Sequence, residues 1–334
     1  MSRIPISVIG LGNAFIPHGK ALRDLAARVE VRWAASPSEE RTQKVARTLG
    51  FPVTTDVNRA IEDPDVRAVF LLSPANTHLE LAKQCFAAGK HVLCEKPLEI
   101  SVARSECLVA AARDEKKILG AVLQLRYRAD AQRMRRAIDD GELGEIQAAT
   151  VSVPWWRPQS YFDDPGRGTL WRDGGGVLIT QAIHTIDLLR WFVGISAVTA
   201  AQNSTTTLHR MGAEDFSSAL VRLGNGAPGA IVATVAAYPG GPESICIIGT
   251  KGVARLEGGG LRLSFFDGRE EILVAEKGSG SGANVMGFSH DMHRTLISAF
   301  LDAVESGQPP AITGEDALAT QRVVEEIMRM GTKT

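Results

Sequence analysis

Cysteine is scarce in this chain of 334 residues, which contains only four. Cys85, Cys94, Cys107 and Cys246 have neither the density of a disulfide framework nor the CxxC spacing of a zinc site. A reducing cytoplasm is therefore the expected compartment. No metal centre is expected either, because His184 and Asp187 lack a plausible third ligand. A targeting signal is also missing, because the short apolar run Ile4 to Ile9 is better explained as a first strand.

An excess of positive charge is absent as well. Lys plus Arg number 37 and Asp plus Glu number 38, a formal net charge of -1, so binding to nucleic acid or to an anionic membrane surface is not expected. The most apolar stretch, Val177 to Val193, is interrupted by Gln181, His184, Asp187 and Arg190 and cannot span a membrane. The hydrophobic content of 44% is nevertheless ample for two buried cores, which a chain of this length predicts.

Short apolar runs alternate with helical patterns through the first half of the chain. This order predicts a doubly wound parallel sheet, whose ligands bind at the carboxyl ends of the strands. The residues that follow each run are therefore the first candidates for function. The runs are Ile4 to Ile9, Val29 to Ala35, Val66 to Leu72, His91 to Cys94 and Ile118 to Leu123.

A glycine turn, Gly10-Leu11-Gly12-Asn13-Ala14-Phe15, follows the first run. It has two of the three glycines of the dinucleotide fingerprint, with Phe15 in the third position. Backbone N–H groups at the start of the following helix can meet a pyrophosphate at such a turn. Gly10, Gly12, Asn13, Ala14 and Phe15 are therefore predicted to bind a dinucleotide, although paired glycines also form ordinary tight turns.

The end of the second run indicates which nicotinamide cofactor is accepted. An acid at this point binds the 2′-hydroxyl of NAD, but the sequence continues with Ser36-Pro37-Ser38 and has no acid at the strand tip. Ser36 could donate to a 2′-phosphate and Arg41 could add positive charge, so NADP is favoured over NAD. A simple helix cap at Ser36 to Ser38 is compatible with the same residues.

Two more segments follow strands, Ser73 to His78 and Glu95-Lys96-Pro97. Lys96 stands out because a lysine at the rim of a nicotinamide site can stabilise a developing alkoxide or exchange a proton with it. A surface lysine before a proline turn is the alternative. The predicted cofactor contacts from these segments and from the end of the last run are Ser73, Pro74, Asn76, His78, Glu95, Lys96 and Gln124.

Three glycines, Gly174-Gly175-Gly176, open the segment with the best candidate for acid–base chemistry. Apolar residues recur after them at helical spacing, which predicts an amphipathic helix. At about 100° per residue, Thr180, His184 and Asp187 fall on one stripe away from the apolar arc. His184 is therefore a candidate acid–base residue in a cleft, and a histidine on an ordinary helix surface is the alternative.

A long loop, Pro154 to Asp173, precedes these glycines, and loops of this length are usually functional. Its aromatic side chains could form flat walls for a sugar, and its arginines and a neighbouring one could bind a carboxylate or phosphate. Packing of the loop against the sheet explains the same residues equally well. The candidate substrate contacts are Arg126, Trp156, Arg157, Tyr161, Arg172 and His184.

Short β-type runs separated by glycine turns, between Val198 and Val274, predict a largely antiparallel sheet. Gly278 to Gly287 is predicted to be flexible. Two helices follow, Ser289 to Ser306 and Gly314 to Met330, the second with Thr313 as its cap. His290 and His293, near the start of the first, could face the cleft, although most histidines at such positions are surface residues.

Together these residues resemble the glucose-fructose oxidoreductase and inositol dehydrogenase family, Gfo/Idh/MocA. The resemblance runs over nearly the whole chain. It implies an α/β protein: an N-terminal Rossmann domain with a doubly wound parallel sheet in residues 1–123, and a C-terminal α/β domain with a large mixed, mainly antiparallel sheet in residues 124–334. It rests on Gly10 to Gly12 with His18, Ser73 to His78, Ala88 to Pro97, and Gly174 to Gly176 with His184 and Asp187.

The resemblance also implies that Lys96 and His184 flank the reacting carbon beside the nicotinamide. Many members have an aspartate four residues before the histidine, where this sequence has Thr180. An aspartate would orient the ring and raise its basicity, whereas threonine can only hydrogen-bond. His184 is therefore expected to be a weaker base, or Lys96 to carry more of the proton transfer. Asp187 either partly substitutes for the aspartate or caps a neighbouring loop.

We therefore expect an NADP-preferring enzyme that moves hydride between the nicotinamide and a secondary alcohol or ketone carbon. Its substrate would be a polyhydroxylated small molecule such as a sugar, sugar acid, nucleotide sugar or cyclitol. The alternatives are a glycosidase or lyase that retains its cofactor and acts by transient oxidation, and a non-catalytic protein that senses NADP or a sugar. A homodimer or homotetramer formed through the C-terminal sheet is expected.

Overall fold

The computed structural model describes residues 3–274 and 289–331, so the segment Gly278 to Gly287 lies outside the described residues. The chain divides into two compact units, the first formed by Met1–Gln124 and Ser289–Leu318 and the second by Leu125–Phe288 and Ala319–Thr334. In chain order the elements are β1 Ile4–Ile9, α1 Phe15–Asp24, β2 Val29–Ala35, α2 Glu39–Leu49, β3 Val53–Thr54, α3 Val57–Glu62, β4 Ala68–Leu71, α4 His78–Ala87, β5 His91–Cys94, α5 Val102–Asp114, β6 Leu119–Ala121, α6 Ala129–Asp139, β7 Ile146–Pro154, α7 Gln159–Phe162, α8 Ile183–Val193, β8 Ile195–Ser204, β9 Phe216–Leu223, β10 Pro228–Thr234, β11 Ser244–Gly249, β12 Gly252–Glu257, β13 Gly260–Phe265, β14 Glu270–Leu273, α9 Asp291–Ser306 and α10 Gly314–Gly331.

The first unit contains a parallel sheet of six strands in the order β3-β2-β1-β4-β5-β6. The predicted doubly wound parallel sheet is therefore confirmed, and the predicted bounds of β1, β2 and β5 coincide with the observed ones. Inner strands of such a sheet are covered on both faces, so they read as continuous apolar runs; all four residues of β4 are buried. The two-residue strand β3 is too short to give a sequence signal.

Helix α9 belongs to the first unit, whereas the sequence assigned every residue after 123 to the second domain. That part of the domain prediction is wrong. The helix packs against α1, and the Phe300 ring meets Phe70 edge-on at 5.8 Å and lies against Gly120. An amphipathic pattern shows that a helix has a buried face, but it does not show which sheet covers that face.

The second unit contains an eight-stranded sheet in the order β14-β13-β12-β11-β7-β10-β9-β8. Only β7 and β10 pair in parallel among these described strands, so the predicted mixed, mainly antiparallel sheet is confirmed. Helix α8 packs on β7 and β11, and α6 packs on β12 and β13. Strand β12 gave a weak signal because its buried positions alternate between small residues and Leu256.

The helix ends follow the predicted capping pattern where the sequence offers one. Thr313 Oγ1 accepts a hydrogen bond from the backbone N–H of Asp316 at 3.1 Å, which confirms it as the cap of α10. Ser38 Oγ likewise accepts from the N–H of Arg41 at the start of α2. Across residues 3–274 and 289–331, no helix is both long and apolar enough to cross a membrane.

Candidate active site

The predicted fingerprint turn joins β1 to α1, and its two glycines serve different purposes. Gly10 has φ +103°, and a side-chain carbon there would lie 2.4 Å from the backbone carbon of Leu72, so only glycine fits. At Gly12 the nearest atom to such a carbon is Arg41 Nη1, at 4.0 Å. The turn therefore leaves open space above Gly12, as close approach of a pyrophosphate requires.

Phe15 occupies the third position of the fingerprint and is buried at the start of α1. A side-chain carbon on Gly19 would lie only 3.0 Å from the Phe15 ring, so the ring packs closely against this glycine. Close packing in this region thus uses Gly19, one turn later. Asn13 is exposed and Ala14 is half-buried at the helix start, so both remain accessible for the predicted cofactor contact.

The end of β2 carries Ser36 and leads into α2, where Arg41 lies in the first turn. Ser36 is buried, and its Oγ accepts a hydrogen bond from the N–H of Ser38 at 3.3 Å. Its hydroxyl hydrogen can still be donated to a second group. Arg41 is exposed, and its guanidinium lies near Gly12 as described above.

His78 holds together the loops that follow β4 and β5. Its Nε2 lies 2.9 Å from the Ser73 carbonyl oxygen, and its Nδ1 lies 3.1 Å from those of Pro97 and Leu98. The ring is 1% exposed. The prediction that His78 contacts the cofactor is therefore wrong, because both ring nitrogens face protein carbonyls inside the unit; His78 supports the loops instead.

Ser73, Pro74 and Asn76 stay at the carboxyl edge of the sheet, where they were predicted. Ser73 Oγ lies 2.7 Å from Thr77 Oγ1. Gln124, which follows β6, is buried, and its Oε1 has no hydrogen-bond partner among the described residues. A buried amide oxygen in this state fits a hydrogen bond from a bound ligand.

Glu95 and Lys96 follow β5 at the same edge. Burial alone would raise the pKa of Glu95, but a hydrogen bond from His18 and the charges of His18 and Lys96 lower it to about 2. Glu95 Oε2 accepts a hydrogen bond from the backbone N–H of Lys96 at 3.0 Å. Lys96 is half-buried, and its charge acts on the Glu95 carboxylate at the predicted nicotinamide edge.

His293 completes a cluster with His18 and Glu95. It is 2% exposed, so the surface alternative for this residue is wrong. One ligand-type atom from each of the three residues lies within 4.8 Å of the others, the only such group found among the described residues. His18 Nε2 already lies 3.0 Å from Glu95 Oε1, which accounts for their approach without a cation.

In the second unit, Glu214 fixes the start of the helical segment after the three glycines. Its carboxylate accepts hydrogen bonds from the N–H groups of Gly176 and Leu178, both at 3.1 Å. Burial raises the pKa of Glu214. A side-chain carbon on Gly176 would lie 1.8 Å from the Glu214 carbonyl oxygen. Sequence reasoning missed Glu214 because an acid 38 residues from this helix gives no local signal.

The helix bearing His184 begins with a π-helical segment, Leu178–Ala182, before regular α8. Single π turns are frequent at functional sites. His184 is half-buried and Asp187 is 1% exposed. The predicted outward position is therefore wrong for Asp187, because α8 is buried on most of its surface. The π turn ends before His184, so it changes the angular position of Thr180 relative to His184 and Asp187, and not that of Asp187 relative to His184.

Thr180 lies inside this π-helical segment. Its Oγ1 donates to the Gly176 carbonyl oxygen at 2.5 Å and contacts Gln181 Oε1. Gln181 Nε2 in turn donates to the Tyr161 hydroxyl at 3.4 Å, and Arg167 donates to the same hydroxyl at 3.0 Å. The structure thus links Thr180 to the predicted substrate loop.

Asp187 and Arg126 form a buried, bidentate ion pair. Arg126 Nε and Nη2 each donate to the carboxylate at 2.7 Å, and Thr320 Oγ1 donates to it at the same distance. The side chains of Arg126 and Asp187 are 5% and 1% exposed. The pair favours the structural alternative for Asp187, and it occupies the Arg126 guanidinium that was predicted to bind substrate.

The remaining loop candidates differ in accessibility. Arg157 is 2% exposed, with its guanidinium near the Trp155 and Tyr161 rings and donating to the Trp156 carbonyl, so its predicted direct contact with substrate is wrong. Trp156 and Tyr161 are half-buried. Arg172 donates to the Pro165 carbonyl at 2.5 Å within the loop itself.

Each unit therefore contains part of the predicted site: the first contains the predicted cofactor residues and Lys96, and the second contains the predicted acid–base residue His184. The first brings the fingerprint turn, Ser36, Arg41, Glu95 and Lys96 to the carboxyl edge of its parallel sheet. The second places Thr180 and His184 on one helical segment that hydrogen bonds connect to Tyr161.

Comparison with known proteins gives two family matches. Residues 4–122 match the model of an oxidoreductase family with an NAD-binding Rossmann fold. Residues 131–255 match the model of the GFO/IDH/MocA C-terminal domain.

Individual proteins are similar over most of this chain. Myo-inositol 2-dehydrogenase of Thermotoga maritima is 27% identical over 93% of this chain and 91% of its own length. The 1,5-anhydro-D-fructose reductase of Ensifer adhaerens is 29% identical over 86% of this chain and 85% of its own. A crystal structure of the WlbA dehydrogenase from Bordetella pertussis in complex with NADH and UDP-GlcNAcA is 27% identical, with a TM-score of 0.85 over 99% of this chain and 97% of that one.

Proposed function

Because the chain belongs to the Gfo/Idh/MocA family of NAD-binding oxidoreductases, we propose that it transfers hydride between a nicotinamide cofactor and a secondary alcohol or ketone carbon of a polyhydroxylated substrate. The observation that carries the proposal is the placement of Lys96 beside the Glu95 carboxylate, at the same sheet edge as the open turn at Gly12. The similar proteins named above are called dehydrogenases or reductases of an inositol and an anhydrosugar, which supports a sugar, sugar acid, nucleotide sugar or cyclitol as substrate.

The first unit holds the residues that fit the cofactor. The turn at Gly10 and Gly12 would receive the pyrophosphate on backbone N–H groups. Ser73, Pro74, Asn76 and Gln124 would border the nicotinamide half. When bound, the cofactor supplies the carbon that accepts or gives the hydride.

Lys96 and His184 would handle charge and protons at the substrate oxygen. In oxidation, His184 takes the hydroxyl proton while the Lys96 ammonium stabilises the developing alkoxide; both roles reverse in reduction. Thr180 supports the helical segment through its hydrogen bond to Gly176. Without an aspartate at position 180, Lys96 carries the larger part of the electrostatic stabilisation.

We expect Lys96→Ala to lower kcat by about a hundredfold or more, because the developing alkoxide loses the ammonium group that stabilises it. The measurement is cofactor absorbance during a screen of polyols, sugars and sugar acids, with cofactor affinity measured by titration calorimetry. Lys83→Ala, an exposed lysine on α4, is the matched control and should leave both quantities unchanged.

Unchanged turnover in Lys96→Ala would refute the assigned role. Product release by the wild type without net cofactor reduction would instead identify a glycosidase or lyase that oxidises transiently. Stoichiometric cofactor binding with no turnover on the whole panel would identify a sensing protein.

For the cofactor we propose NADP over NAD. The support is the absence of an acid at the tip of β2 and the exposed Arg41 guanidinium near Gly12, where it can bind a 2′-phosphate. Arg41→Ala should weaken NADP binding by about tenfold, roughly the worth of one charge-assisted hydrogen bond, and leave NAD binding unchanged. Separate titrations of the two cofactors test this, and tighter binding of NAD by the wild type would refute it.

The homodimer or homotetramer expected from the sequence stays a prediction. Strands of the second sheet expose several large apolar side chains, which supports assembly through this sheet: Leu220, Val232, Ile248 and Ile272.

A further inference from the structure

Three side chains from distant parts of the chain meet inside the first unit. His18 lies on α1, Glu95 follows β5, and His293 lies on α9. The side chains of His18 and Glu95 are 0% and 12% exposed, and His293 is 2% exposed. Polar groups are rarely buried at this density without a purpose or full compensation.

Hydrogen bonds connect this cluster directly to Lys96. His18 Nε2 lies 3.0 Å from Glu95 Oε1, and the other oxygen of the same carboxylate accepts from the backbone N–H of Lys96, also at 3.0 Å. The Glu95 carboxylate is therefore held at both oxygens. Its orientation fixes the backbone at Lys96 where the lysine side chain begins.

His293 packs against His18 within the cluster. Its ring meets the His18 ring edge-on, with centroids 4.9 Å apart and an interplanar angle of 77°. Burial, together with the charge of His18, lowers the pKa of His293 to about 3, so this ring is neutral at physiological pH. A neutral ring in edge contact constrains His18 without adding charge beside Lys96.

A metal ion is the competing explanation, since two imidazoles and a carboxylate are common ligands of zinc and iron. Two observations favour hydrogen bonding instead. The 3.0 Å approach of His18 to Glu95 is an ordinary hydrogen-bond length. The charge of Lys96 acts on Glu95 strongly enough to lower the pKa of Glu95, and the same positive charge would repel a cation.

We propose that His18 and His293 are positioning residues for Lys96, acting through the Glu95 carboxylate. This inference rests on the proposed function, in which Lys96 stabilises the alkoxide. Helix α9, which follows the second sheet in the chain, thereby contributes to the geometry of a lysine almost two hundred residues earlier.

The test compares His18→Leu and His293→Leu with wild type and with His18→Gln. We expect each leucine variant to lower kcat by about 10- to 100-fold, since small misplacement of a reacting group has effects of this size. The KM for the substrate and the affinity for the cofactor should stay within about threefold, because ground-state binding does not depend on Lys96 alone. His18→Gln can keep a hydrogen bond to Glu95 and should recover most of kcat.

A matched control is His91→Leu, which removes a half-buried histidine from the opposite end of β5. His91 Nδ1 accepts a hydrogen bond from the Ile118 N–H at 3.0 Å, so the substitution should lower the melting temperature without changing kcat. If both His18→Leu and His293→Leu fail to fold, Glu95→Gln decides. It should lower kcat and move the alkaline limb of the rate profile to lower pH, because the charge that favours the ammonium form of Lys96 is lost.

The inference is overturned if the folded variants keep wild-type kcat while Lys96→Ala does not, or if a chelator abolishes activity and zinc restores it. Absence of turnover in the wild type would be a failure of the proposed function, and it is distinguishable because no variant is then needed to observe it.

Discussion

The Asp187 carboxylate accepts hydrogen bonds from two side chains that are distant from it in the chain. Arg126 binds both of its oxygens, Thr320 donates to one, and Arg190 Nε donates to the hydroxyl of Thr320. A carboxylate with this coordination has little capacity left for exchanging protons with a substrate. Its charge is instead needed to neutralise a buried guanidinium.

We expect Asp187→Asn to lower the free energy of unfolding by about 3 to 5 kcal/mol, because the substitution leaves the Arg126 charge buried without its counter-charge. Chemical denaturation measures this. Asp139→Asn is the matched control. Asp139 pairs with Arg135 on the surface of α6, and loss of this ion pair should lower the free energy of unfolding by less than about 1 kcal/mol. A hundredfold fall in kcat at unchanged stability would make Asp187 a proton-transfer residue instead.

The sequence predicted those parts of the site whose structure depends on residues that are neighbours in the chain. Gly10, Gly12 and Lys96 follow strands directly, and their neighbours in the chain are also their neighbours in space. Glu214 was missed because its partners are far away in the chain, and the burial of His293 was missed for the same reason. His78 was assigned to the wrong task, because a sequence cannot show whether a histidine faces outward or ties two loops together.

At the scale of elements, the buried parallel strands were the most predictable part. Both faces of β4 are covered, so the apolar run has no alternative interpretation. The π-helical segment Leu178–Ala182 was not predictable, since it keeps the order of apolar residues and alters only the angle between them. That angular change shifts Thr180 relative to His184 and Asp187, which both lie in regular α8.

Helix α9 gives a prediction at the same scale. A fragment ending at residue 124 should unfold without cooperativity, because the surface around Phe70 and Gly120 loses the Phe300 ring and becomes exposed. Joining residue 124 to Ser289 through a glycine-serine linker, and ending at Leu318, should restore cooperative thermal unfolding followed by circular dichroism. Equal stability of the two fragments would contradict the assignment of α9 to the first unit.

For the whole molecule, the sequence predicted that the second sheet is mainly antiparallel, but it did not predict the number of strands or their order. Glycine turns between short β-type runs correctly indicated a mainly antiparallel sheet. The central position of β7, parallel to β10 and antiparallel to β11, depends on pairings across about 80 to 100 residues, which no local pattern specifies.

The return of α9 to the first unit also has a consequence for biosynthesis. Phe70 leaves the ribosome long before its packing partner Phe300, and at about 5–20 residues per second the delay is roughly 10 to 50 seconds. Over that interval the apolar surface around Phe70 and Gly120 lacks its Phe300 contact, while the strands of the second sheet are being synthesised. Nascent chains of this protein should therefore be most susceptible to aggregation, and most dependent on chaperones, before helix α9 emerges from the ribosome.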